Sequence, residues 1–152
     1  MTAEALLLAA CLALAAVGAA WDAKVRRIPN WLCVLLAVPA LAYAWTAAGE
    51  SGLLWGAAHA ALALVVGIGL FALGAIGGGD AKFYSAAALA VPLQNGFALL
   101  GWTSAAGIVL LFVLVVAKLM FARTGRSLRD LRKMQVPYGI AIAAGFALTA
   151  LA

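Results

Sequence analysis

Long apolar stretches fill most of this chain, and polar residues occur mainly where one stretch ends and the next begins. Pro29 and Pro92 mark two of these boundaries, because proline cannot continue a helix that precedes it. The stretches lack the alternating polar and apolar period of a strand and are long enough for helices. The pattern predicts helices over residues 3–27, 30–48, 52–75, 80–91, 96–121 and 136–152.

The composition places these helices in a lipid bilayer. Hydrophobic residues fill 68% of the 152 positions, charged residues only 10%, and the mean hydropathy is +1.13. A soluble chain this short cannot bury so much apolar surface, whereas about 20 apolar residues cross a bilayer as a helix. We therefore expect an all-α integral membrane protein with six transmembrane helices, forming a single membrane-embedded domain over residues 1–152.

Two features of the first helices exclude simpler interpretations. The N-terminal stretch ends in small residues like a signal peptide, but its leading charge is Glu4, where a signal peptide carries Lys or Arg. Cys11 and Cys33 lie within apolar stretches and form no C-x-x-C pair, so they are expected to be buried thiols. Neither a metal site nor a cofactor is predicted.

The basic residues determine the predicted orientation. If every helix spans, all ten fall on one side, and the loops around Glu50 and around residues 94–95 carry none. By the positive-inside rule, that side is cytoplasmic and both termini face out. Helix 80–91 is only about 18 Å long, and this charge distribution argues that it spans. The basic residues are Lys24, Arg26, Arg27, Lys82, Lys118, Arg123, Arg126, Arg129, Arg132 and Lys133.

Two aspartates fall at the same depth in this topology, near the cytoplasmic face. Asp22 ends the first apolar stretch, and Asp80 follows a run of three glycines. A carboxylate at membrane depth costs about 2.5–3.5 kcal/mol on insertion scales, which indicates a functional site. The other acidic residues, Glu4, Glu50 and Asp130, fall in loops or near a terminus.

Each aspartate has a structural and a functional interpretation. Asp80 can cap the helix that it begins, and Asp22 can form a surface ion pair with Lys24, Arg26 or Arg27. Alternatively, the two carboxyl groups lie together, where like charges prevent both from ionising. One then activates a water while the other polarises a carbonyl, which is the chemistry of an aspartyl peptidase.

The glycine run has an interpretation of its own. Gly77, Gly78 and Gly79 permit a tight turn, or an extended segment beside Asp80 that pairs with a substrate backbone as a strand does.

Three blocks of the sequence resemble type IV prepilin peptidases. Residues 22–30 resemble the family's first aspartate region, in which a basic patch and Ile-Pro-Asn follow the aspartate. Residues 74–82 resemble its G-x-G-D segment, and residues 136–141 resemble the Pro-Tyr-Gly opening of its last helix. The blocks occur in order and span nearly the whole chain, so together they are specific although each alone is not.

The resemblance implies a six-helix GxGD aspartyl protease of a bacterial inner membrane that cleaves prepilin leaders at the cytoplasmic face, with Asp22 and Asp80 as the catalytic pair. The chain is similar to the short branch that serves Flp/Tad-type pili, because it lacks the region with paired C-x-x-C motifs found in bifunctional members. N-methylation of the product therefore stays open. The implied partners are a prepilin and the pilus assembly machinery, and no nucleic acid is expected.

Further residues near the aspartates are weaker candidates. Lys82 is expected to adjust the charge of Asp80, to bind a substrate glutamate, or to extend to the membrane interface. Pro29 and Asn30 are expected to shape the first turn, and the opening of the last helix at Pro137 and Tyr138 is expected to support the site.

Two groups away from the aspartates receive structural interpretations. Residues 126–133 are expected to form an interfacial helix or a positive-inside anchor on anionic lipids. His59 lies toward the outer half and is expected to be satisfied within the bundle.

The alternative function is a small proton- or cation-coupled transporter that uses Asp22 and Asp80 as carriers. Transport favours polar residues strung across the membrane, and the outer half offers little beyond His59. A purely structural subunit would leave two aspartates at one depth without a purpose.

Overall fold

The computed structural model describes residues 2–122 and 136–152, and the regular elements among them are all helical. The predicted all-α class is therefore confirmed for this part of the chain, and the basic segment 126–133 lies outside it. The elements are α1 (Ala3–Val25), α2 (Asn30–Ala72), α3 (Gly78–Ala88), a 3-10 turn (Leu93–Asn95), α4 (Gly96–Ala122) and α5 (Tyr138–Leu151).

Three helical segments of the described chain are long and apolar enough to cross a membrane. They are α1, α2 and the segment Leu93–Met120, which contains most of α4. Large apolar side chains point outward along them, with Val65 67% exposed and Ile108 69% exposed. Such surfaces are stable against lipid and aggregate in water, so the chain is a membrane protein. Helices α3 and α5 are shorter, with 11 and 14 residues.

Helix α2 folds back on itself, in agreement with the predicted break between residues 48 and 52. Ala48 and Gly49 leave helical geometry, and Gly49 has a φ of 60°, which glycine adopts without strain. A Cβ added to Gly56 would lie 3.7 Å from Cβ of Ala44. A straight helix would separate these two residues by about 18 Å. Helix α2 therefore has two arms, an N-terminal arm that begins at Asn30 and a C-terminal arm that ends at Ala72.

Helix α3 is buried against α1 and α2. Its Phe83 is fully buried and rests on Gly18 of α1, where an added Cβ would lie 2.6 Å from Phe83 Cε2. Gly18 is one turn before Asp22, and Phe83 is three residues after Asp80. This contact therefore fixes the spacing between the two helices that carry the aspartates.

Gly18→Ala is expected to destabilise the protein, because the new methyl group displaces the ring of Phe83. Overpacking of this kind costs about 1–3 kcal/mol, measured as a lower unfolding temperature in detergent. Phe83→Leu alone should also destabilise. The double variant should lose less stability than the sum of the two single variants, because the smaller side chain makes room for the methyl group.

Gly69→Ala is the matched control, since an added Cβ there meets no neighbouring atom within 4 Å. Fully additive losses in the Gly18→Ala, Phe83→Leu double variant would contradict the contact.

Helix α4 is attached through α5 rather than through α2. A Cβ added to Gly145 of α5 would lie 2.6 Å from Cα of Thr103 in α4, so the two backbones approach closely. Helix α5 packs in turn along α1, whereas α2 and α4 make only marginal contact with each other. The C-terminal arm of α2 and helix α4 therefore lie near each other without packing closely.

Candidate active site

Asp22 is buried at the end of α1 and binds the start of α5. Its side chain is 5% exposed, and its Oδ2 accepts a hydrogen bond of 2.9 Å from the backbone N–H of Gly139. Gly139 lies in the first turn of α5, where backbone N–H groups have no partner within the helix. Pro137, the N-terminal cap residue of α5, makes no side-chain hydrogen bond to the helix, so Asp22 supplies this bond instead. Because Asp22 is buried, the surface location considered for it is wrong.

Gly139 fits against Asp22 only because it lacks a side chain. An added Cβ would lie 2.9 Å from Cβ of Asp22 and 3.1 Å from its Oδ2. The same Cβ would lie 3.2 Å from Cδ1 of Ile28. The Pro-Tyr-Gly block contains this glycine, but the sequence-based prediction placed only Pro137 and Tyr138 near the site and missed Gly139.

Asp80 lies in the first turn of α3. Its Oδ2 accepts a hydrogen bond of 3.3 Å from the backbone N–H of Gly77, as predicted for a residue that caps this helix. The N-terminal cap residue itself is Gly77, and Asp80 is the third residue of α3 rather than its start. Gly77 is extended, with φ −76° and ψ 144°, but Gly78 and Gly79 already belong to the helix. The expectation of an extended segment through all three glycines is therefore wrong for the last two.

Ile28 joins the two aspartate regions. A Cβ added to Gly79 would lie 3.1 Å from the carbonyl oxygen of Ile28, and Gly139 touches the Ile28 side chain from the other direction. Ile28 is itself buried. The three blocks that resemble the prepilin peptidases are thus in contact with one another.

Lys82 and Asn30 form a second link between the blocks. The ammonium group of Lys82 donates a hydrogen bond of 3.0 Å to Oδ1 of Asn30 at the exposed edge of the site. Pro29 precedes Asn30 as the N-terminal cap residue of α2. Lys82 therefore ties α3 to the α1–α2 turn, which none of its three sequence-based interpretations included.

His59 and the cysteines lie outside this site. His59 is buried, and its Nδ1 donates to the carbonyl oxygen of Val91 at 2.8 Å, so it is satisfied within the bundle as predicted. Cys11 and Cys33 are free and buried, as predicted. Among residues 2–122 and 136–152, no group of three or more His, Cys, Asp and Glu side chains is arranged to hold a metal ion.

A cavity of about 530 Å³ leads away from Asp80. It lies between the C-terminal arm of α2 and helix α4, with α3 and α5 behind it. Asp80 and Tyr138 line one end, and His59 and Gly96 line the other. Most of the wall between them is apolar. The candidate site therefore has an approach from the side of the bundle.

Fold and site together define a helical membrane protein with two aspartates, Asp22 at the end of α1 against the start of α5 and Asp80 in the first turn of α3. Such a pair, in such a setting, is suited to hydrolysis within a membrane. The chain belongs to the type IV leader peptidase family, which it matches over residues 6–122. The resemblance to prepilin peptidases is thereby confirmed, and the protein is a peptidase by family. No curated protein and no solved structure matches the chain.

Proposed function

We propose that this protein is an aspartic endopeptidase that cleaves the leader peptide of type IV prepilins of the Flp type at the cytoplasmic face of the membrane. The observation that carries the proposal is the contact between the Asp22 and Asp80 regions through Ile28, in a chain of the leader peptidase family. Asp22 and Asp80 are the catalytic pair in this proposal.

The geometry supports a mechanism in which the two carboxyl groups act as one unit. Gly139 and Gly77 each hold one oxygen, Oδ2, of Asp22 and Asp80 respectively. The other oxygen of each group is the one that can bind a water or the scissile carbonyl. The ionised member removes a proton from the attacking water, and the protonated member donates to the carbonyl oxygen. Protons belong to the pair, so neither role is assigned to a particular aspartate.

The transport alternative gains no support from the cavity. Its wall between Asp80 and His59 is mostly apolar, and Nδ1 of His59 is already bonded to Val91. A chain of proton or cation carriers needs polar groups along that path.

The test is cleavage of a co-expressed Flp-type prepilin, followed by the shift from precursor to mature size. Wild-type protein should process the prepilin, and a prepilin with Pro directly after the cleaved bond should stay uncut as the control. Complete absence of processing of matched prepilins in membranes that contain the protein would overturn the proposed function.

We also propose six membrane spans with both termini outside, because the two arms of α2 then cross separately and the basic residues collect on the cytoplasmic side. In this orientation the basic residues contact anionic lipids. A reporter that is active only in the periplasm should be active when it is fused after Ala152. The same reporter inserted after Arg27 should be inactive. A cytoplasmic C-terminus would refute the orientation.

A further inference from the structure

The cavity beside Asp80 is a groove that opens sideways, and we call it the lateral groove. Its walls are the C-terminal arm of α2, represented by Leu62 and Val66, and helix α4, represented by Leu100 and Ile108. All four side chains are more than half exposed. Because α2 and α4 make only marginal contact, the opening runs between two helices and faces the surrounding lipid.

The lateral groove has the surface of a helix-binding site and room for about one turn of helix. One turn of helix, about 10 Å across with a 5.4 Å pitch, fills roughly 420 Å³, and the cavity measures about 530 Å³. Its walls include small residues, among them Ala63 on α2 and Ser104 and Gly107 on α4. Small residues let the backbone of a neighbouring helix approach closely in a membrane.

The groove is continuous with the candidate catalytic group. Asp80 and Tyr138 line its end, so an occupant that lies along α4 reaches the carboxyl group at that end. A peptide in hydrocarbon must be helical, because its backbone groups find no water there. It can leave the helix where polar side chains line the groove, as Asp80 and Tyr138 do at that end. A lipid chain has the polarity to fill the groove but offers no peptide bond at that end.

We propose that the lateral groove is the docking surface for an apolar helix of the substrate. This helix directly adjoins the bond to be cleaved, and it enters the groove sideways from the lipid. The proposal rests on the proposed peptidase function. In this proposal, the small residues on the α4 wall determine which substrate helices fit the groove.

The first experiment tests docking without requiring cleavage. The photoreactive residue p-benzoylphenylalanine replaces Ile108 or, separately, Val109, in full-length protein that also carries Asp80→Asn. The two positions are adjacent and similarly exposed, at 69% and 62%, but only Ile108 lines the groove. In vesicles that contain a prepilin with its apolar segment, the Ile108 position should crosslink the prepilin at least about fivefold more than the Val109 position. Equal labelling, or none, would overturn the docking surface.

The second experiment fills the groove. Gly107→Leu places a side chain on the groove wall, where an added Cβ meets only Ala141 Cβ at 3.8 Å, so the fold can accept it. Gly101→Leu is the matched control on the same helix, because nothing lies within 4 Å of its added Cβ and it does not line the groove. Gly107→Leu should lower kcat/KM for the prepilin at least about tenfold, mainly through KM, and Gly101→Leu should not.

The outcomes separate this inference from the proposed function. Wild-type cleavage with equal kcat/KM for Gly107→Leu and Gly101→Leu overturns the groove and leaves the peptidase function intact. Selective crosslinking at Ile108 without any cleavage by wild-type protein supports the groove and overturns the peptidase function. If the groove holds only lipid, labelling is equal at both positions, and the inference fails.

Discussion

Asp80→Asn is expected to abolish prepilin cleavage while the protein still inserts into the membrane. Asparagine keeps a side-chain oxygen that accepts the Gly77 N–H, so the first turn of α3 keeps its cap. It has no carboxyl group to exchange a proton with the attacking water. Because positioned acid–base groups contribute roughly 10²–10⁴-fold, we expect turnover to fall about 10³-fold. The measurement is the rate of prepilin processing at matched membrane abundance.

Asp22→Asn should have the same effect, and the double variant should be no worse than either single variant, because the pair acts as a unit. Glu50→Gln is the matched control, since it removes an exposed carboxylate near the reversal of α2 and should leave processing unchanged. Near-normal processing by either aspartate variant would show that the proposed dyad mechanism is wrong. A purely structural cap at Asp80 predicts that result, because asparagine caps a helix about as well as aspartate.

The ends of the helices were predictable because residues with restricted or unusual backbone behaviour mark them. Pro29 separates α1 from α2, and Gly49 supplies the left-handed residue where α2 reverses. The end of α3 was predicted three residues too late, at Val91 instead of Ala88. The N–H groups of Ala90 and Val91 bond to carbonyls only three residues back, so the chain tightens before it reaches Pro92.

The assembly of the site was predictable only as a shared depth. Apolar periodicity and charge place Asp22 and Asp80 at one level of the membrane, but they do not set how each helix is rotated about its axis. The partner of Asp22 is the backbone N–H of Gly139. Every residue except proline has such a group, so the residue types in the sequence do not reveal this contact. The bond between Lys82 and Asn30 joins positions 52 residues apart, which no local pattern reports.

The glycines near the site illustrate a second limit of sequence reasoning. A glycine run indicates either backbone freedom or close packing, and the sequence alone does not decide between them. Gly78 and Gly79 lie in the helix, and a side chain at Gly79 would press on the backbone of Ile28. Close packing is therefore the role of Gly79, and the left-handed glycine of this region is Gly74, with a φ of 72°.

Gly139→Ala is expected to impair catalysis by moving Asp22 rather than by unfolding the protein. The new methyl group would lie 2.9 Å from Cβ of Asp22 and 3.1 Å from its Oδ2, so the carboxyl group must shift from its position at the start of α5. Displacement of a reacting group by about 1 Å costs roughly 10²-fold in rate. We expect kcat to fall by about that factor, with KM changed less than about threefold.

Gly69→Ala, which meets no neighbouring atom within 4 Å, is the control and should retain full activity. Ile28→Val identifies the route of the effect, because it removes the Cδ1 atom that the methyl group of the Gly139→Ala variant would otherwise touch at 3.2 Å. If Gly139→Ala acts through Asp22, adding Ile28→Val should not restore kcat. Recovery of kcat in that double variant would mean that packing on Ile28, and not the position of the Asp22 carboxyl group, is the reason for a glycine at this point of α5.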